Sequence, residues 1–127
     1  MRGMTHRRRF VSFSLIALIA VLTTVCGSAE PQAVVSGEVI ETFCWAKLGI
    51  GGAAHASCGI ECAKRGIPVG IYDAQSRTVY VILPGRDKSA VPPELVAAMG
   101  KRVSVRGEVV KRGGAAFVSV QSWEPIY

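Results

Sequence analysis

The chain has 127 residues, with 15 Lys plus Arg against 9 Asp plus Glu, a net charge of +6, and half of its residues hydrophobic. That length holds one domain and excludes a multidomain architecture. The surplus of bases points to nucleic acid only if it is spread over the folded part, and it is not.

Arg2, Arg7, Arg8 and Arg9 form a basic head without acids. The apolar run Phe10–Val25 and the small-residue stretch Cys26–Ala29 follow it. This is the layout of a secretory signal peptide cut after Ala29, so residues 1–29 are read as signal and 30–127 as the domain. The apolar run is short for a membrane span of about 20 residues, and an uncleaved anchor is the alternative. "R-R-R-F-V" (Arg7–Val11) fits the twin-arginine export pattern as well as an ordinary export signal. Cys26 matches a lipidation site poorly, because "T-T-V-C" lacks the preceding small residue. The expected location is periplasmic or secreted, with no membrane span in the mature chain. Removing four arginines and no acid leaves 11 bases against 9 acids, or +2, which makes nucleic acid an unexpected partner.

"A-V-V-S-G-E-V-I-E-T-F" (Ala33–Phe43) reads as a strand, with Gly37 at a bend or bulge. Ala53–Arg65 reads as a helix stopped by Gly66 and Pro68, although Gly59 weakens it. Val69–Leu83 is a hairpin turning at Asp73–Arg77. "P-P-E-L-V-A-A-M-G" (Pro92–Gly100) is a short helix with a proline start and a glycine stop. Lys101–Arg112 and Ala115–Trp123 are strands joined by Gly113–Gly114. The expected fold is mainly β, a five-stranded OB-like barrel. It carries a Cys/His-bearing helical insert (about residues 44–67) after strand 1 and a short helix between strands 3 and 4. A small α+β sheet domain of another topology is the alternative.

The chemistry concentrates in "C-W-A-K-L-G-I-G-G-A-A-H-A-S-C-G-I-E-C" (Cys44–Cys62). On one helix at about 100° per residue, His55, Cys58 and Cys62 fall within a sector of about 60°. Cys44, placed at the end of the first strand, joins them through a glycine tether. The four donors can converge as a Cys₃His metal site for zinc or copper, either structural or for metal handling. The partner would then be an exported metal donor or acceptor protein. Two other readings stand beside this one. A disulfide from Cys44 to Cys58 or Cys62 would staple the insert of a metal-free interaction module, worth about 2–3 kcal/mol, but it strands one thiol. Reactive redox thiols are the other, although C-x-x-x-C departs from the usual C-x-x-C.

The segment Val35–Ile71 resembles a group of exported bacterial proteins of unknown function. Their pattern is V-x-G-x-V-x-D-x-x-C-[YW], then G-x-x-H-x-x-C-x-x-x-C, then G-x-P-x-G, and they are OB-like. Glu41 stands here where Asp is usual. The resemblance implies that Cys44, His55, Cys58 and Cys62 form the working unit, and it brings no activity with it. The C-x-x-x-C spacing with an added histidine also resembles copper-delivery proteins of the Sco type, whose thioredoxin-like fold does not match this element order.

Trp45 either shields the site or fills core, and Glu61 either supports the His55 ring or is solvated. Lys101, Arg102, Arg106, Lys111 and Arg112 lie on one hairpin and read as a positive strand edge that deters association. No G-x-S-x-G, no paired carboxylates and no phosphate-binding loop appear, so an enzyme is not expected.

Overall fold

The computed structural model describes residues 32–127, so the expectations for the signal segment and for Cys26 lie outside the described residues. The elements run β1 (Gln32–Glu41), α1 (Thr42–Leu48), a 3₁₀ turn (Ala53–His55), α2 (Ala56–Lys64), β2 (Val69–Asp73), β3 (Thr78–Leu83), α3 (Pro93–Ala97), β4 (Arg102–Arg112) and β5 (Ala115–Pro125).

Five strands close into a barrel in the order β1-β2-β3-β5-β4. β3 pairs parallel with β5 and every other pair is antiparallel. This is the expected OB-type barrel, with the insert after β1 and a short helix between β3 and β4. Closure corrects one expectation in part. β4 is bonded to β1 over Arg102–Glu108 and to β5 over Val103–Arg112, so Arg102 and Arg106 lie on no free strand edge, while Lys111 and Arg112 extend beyond the β1 pairing. Lys101, Arg102, Arg106, Lys111 and Arg112 are simply solvated.

The alternation of β4 fills the barrel from one side of the strand, with Val103 and Val105 fully buried beside Val39, Ile71 and Val118. Burying a side chain of this size stabilises by roughly 1.5–3 kcal/mol. Leu95 of α3, with Ala98 and Met99 just after it, joins the buried core cluster. The strand-like register of β1 continues past the start of β4, because Gly100 N–H donates to Val39 C=O (2.8 Å) and Val39 N–H to Lys101 C=O (3.0 Å).

The glycines mark close approaches more often than bends. A Cβ on Gly37 would lie 2.2 Å from the Tyr72 carbonyl oxygen, so β1 and β2 meet there only without a side chain. The register shift falls elsewhere, at Arg106/Gly107 between β4 and β5. Gly113 and Gly114 both take positive φ, 59° and 82°, as a tight two-residue hairpin turn demands.

Candidate metal centre

The site is built where β1 stops. Cys44 does not end the strand, as the sequence suggested. It sits in the first turn of α1, because Glu41 ends β1 in an extended conformation and caps the new helix. The Glu41 carboxylate accepts from the N–H groups of Cys44 (2.7 Å) and Phe43 (2.9 Å), two donors that a helix start leaves unpaired. The cap fixes the position of Cys44, which is 7% exposed.

α1 ends at Gly49 (φ 67°). The following glycines are held, not free: Gly52 N–H donates to the Glu38 carboxylate, and Gly100 leaves room for the Gly52 carbonyl, which a Cβ there would meet at 2.5 Å. The chain is thereby returned over the barrel end and starts α2. His55 stands at the junction, closing the 3₁₀ turn and preceding the first residue of α2. Cys58 and Cys62 follow one turn apart, Cys58 exposed and Cys62 half-buried. The helix then stops as expected. Gly66 N–H donates to Ala63 C=O and Ile67 N–H to Cys62 C=O, the bond pair of a Schellman motif.

α2 lies close to the barrel because Gly59 faces it. A Cβ there would come within 2.8 Å of Met99 Cγ and 3.4 Å of Glu41 Cγ. The residue that weakened the helix in the sequence is the one that lets the helix bring its cysteines to Cys44.

Two donor sets result, and they share one sulfur. In Cys44, Cys58 and Cys62 the sulfur atoms all lie within 4.8 Å of one another, and the same limit holds for Glu41, Cys44 and His55. Sulfur atoms on one tetrahedral ion with bonds of about 2.3 Å stand about 3.8 Å apart. Closing the thiol triad around an ion therefore needs a movement of about 1 Å at most. All three cysteines are free thiols. Cys44, His55, Cys58 and Cys62 are thus brought to one end of the barrel, with Glu41 between His55 and Cys44. The exposure of Cys58 leaves the triad open to solvent on one side.

Glu41 is the participant that residue-type reasoning passed over. It is 2% exposed, the one charged residue buried in the described core. An acid three residues ahead of a cysteine is the spacing of a helix cap onto that cysteine's N–H, and this was the available signal. Burial alone would push its carboxyl up. Hydrogen bonding with the Cys44 thiol and the two cap N–H groups, with the His55 ring beside it, outweighs that and holds it below the ordinary carboxylate range. The reciprocal effect pushes Cys44 up to about 12, chiefly through its hydrogen bond to Glu41 and then through burial. Cys62 is raised as well, by burial first and then by the nearby Cys58 and Glu41 charges.

The remaining residues take plainer roles. Glu61 is exposed and pairs with Lys64 at 2.8 Å, so it does not support the His55 ring. Trp45 is half-buried and packs on Tyr72 with ring centroids 4.8 Å apart. Among the described residues, no helix is long and apolar enough to cross a membrane. Comparison with protein-family models, with curated proteins and with solved structures finds no match.

Proposed function

We propose that the protein is an exported metal carrier that holds a soft ion, copper(I), on Cys44, Cys58 and Cys62, with His55 beside the triad. The observation that carries this reading is the convergence of three free thiols from two helices within 4.8 Å. An all-sulfur set selects copper(I) over harder ions, with zinc the next best fit. Two features favour handling over a structural role. The hydrophobic core closes without the cysteines of α2, whereas a structural zinc site supplies folding energy itself. Exposed Cys58 also gives an acceptor's ligand a way in.

Neither Cys44 nor Cys62 is an activated thiol, since a reactive cysteine has a depressed pKa and both of these are raised. The basic head and apolar run at residues 2–25 support a carrier that works outside the cytoplasm, where its partner would be a metal donor or acceptor protein.

Native mass spectrometry with thiol counting, on protein purified from the periplasm and titrated with copper(I) and with zinc, tests the reading. One tightly held copper(I) with three reduced thiols supports it. Replacing any one of Cys44, Cys58 or Cys62 by serine should weaken copper(I) binding by more than about 100-fold, beyond the roughly 10–100-fold that loss of a supporting group costs. A mass lower by two hydrogens with no metal would establish the disulfide-stapled module instead.

A further inference from the structure

The second donor set is not explained by one ion on the thiols. His55 Nε2 is buried and has no hydrogen-bond partner, an expensive condition for a ring nitrogen. The group that faces it is Glu41 Oε1, at 3.6 Å. That separation is too long for a hydrogen bond. It is close to the distance of about 3.3 Å between nitrogen and oxygen ligands on one tetrahedral ion with bonds of about 2.0 Å. Cys44 Sγ completes the triangle, and the three ligand atoms lie within 4.8 Å of one another. Glu41 is held in place by the α1 cap and His55 by the start of α2, so both are aimed before any ion arrives.

The structure assigns a second metal position to Glu41, Cys44 and His55, which takes a borderline divalent ion such as zinc, with the Cys44 sulfur bridging it to the thiol triad. The inference rests on the reading of that triad as a metal site. Oxygen, nitrogen and one sulfur form a zinc-type ligand set, harder than the all-sulfur set beside it. A thiolate has lone pairs for two ions at once.

The test loads the full mature chain with one equivalent of copper(I) and then titrates zinc, reading bound ions by native mass spectrometry. In parallel, cobalt(II) replaces zinc as a spectroscopic probe, and a sulfur-to-cobalt charge-transfer band reports its contact with Cys44. The expected result is a second ion held by the copper-loaded protein, with the cobalt band present. His55→Gln should lose the second ion, by at least about 10-fold in affinity, while keeping the first, and Glu41→Gln should lose the second ion and also weaken the first, because its cap positions Cys44. His55→Gln lies outside the helix cap, so it remains informative if Glu41→Gln folds poorly. A copper-loaded protein that takes no second ion, or a His55→Gln variant that keeps it undiminished, overturns the second position alone. If copper(I) itself does not bind, the carrier reading falls and this one with it.

Discussion

Replacing Gly59 by alanine separates the fold from the site. The new Cβ would meet Met99 Cγ at 2.8 Å and Sδ at 3.0 Å, against an ordinary carbon–carbon contact of about 3.5–4.0 Å. Relief therefore needs about 0.7–1.2 Å of movement, shared between the Met99 side chain and α2. Overpacking of this kind costs about 1–3 kcal/mol, while alanine in place of a helical glycine returns about 1 kcal/mol. The net loss of stability is then about 0–2 kcal/mol, a drop in melting temperature of up to about 10 °C. The metal site is far less tolerant, since ligand distances must hold to within about 0.2 Å and α2 carries two of the three thiols. Gly59→Ala should thus weaken copper(I) binding by at least about 10-fold, measured by competition with a chromophoric chelator, while the metal-free protein stays folded and melts no more than about 10 °C lower. The reasoning fails if copper affinity is unchanged and the protein becomes about 1 kcal/mol more stable, because helix propensity would then be the only effect at work.

The pH dependence of the metal-free protein follows from its two linked groups. Cys44 is neutral in the fold up to about 12 but ionises near 9 when unfolded, so its contribution is complete below pH 9 and lost as pH rises toward 12. Glu41 is lowered in the fold, so its contribution is present above its ordinary value of 4.5 and lost as pH falls through the folded value. Urea midpoints should be level between these limits and fall on both sides, and Cys44→Ser should flatten most of the alkaline fall. Glu41→Gln removes the main cause of the Cys44 shift, so thiolate absorbance should show that thiol titrating closer to 9; an unmoved titration would mean that burial alone raises it. Gly37→Ala puts a Cβ 2.2 Å from a backbone oxygen, which cannot swing aside, and should cost more than about 3 kcal/mol in urea unfolding. Gly113→Ala meets nothing within 4 Å and should cost only the left-handed strain of about 1–2 kcal/mol.

The barrel was legible because its signals are local. β-branched runs, the Gly66 and Gly100 stops and the Gly113–Gly114 turn each act within a few residues, and the OB order follows from their succession. Closure of β3 onto β5 joins strands more than thirty residues apart, and nothing local encodes it; placing Arg102 and Arg106 on a free edge was the error that followed. In the site, the helical face of Cys58 and Cys62 was readable from periodicity. The switch from strand to helix at Glu41 was not, since "V-I-E-T-F-C" is rich in strand formers and the capping bond that overrides them is visible only once Cys44 N–H is in place. Glu41, noted only as standing where Asp is usual, is buried at this switch.

The division between barrel and insert bears on what kind of metal site this is. Val39, Ile71, Val103, Val105 and Val118 are fully buried, and the core cluster they form with Leu95 and Met99 contains no ligand residue. Cys44, His55, Cys58 and Cys62 are added outside that cluster, through one capped turn and one glycine-faced helix. An ion released from such a site leaves the strands paired, and the protein left behind is still folded. A site that had to supply folding energy would be unable to give up its ion without unfolding. Retention of the barrel's far-ultraviolet circular dichroism after chelation, with loss confined to the helical signal, is therefore the behaviour required of a carrier. Collapse of the strand signal on chelation would make the metal structural.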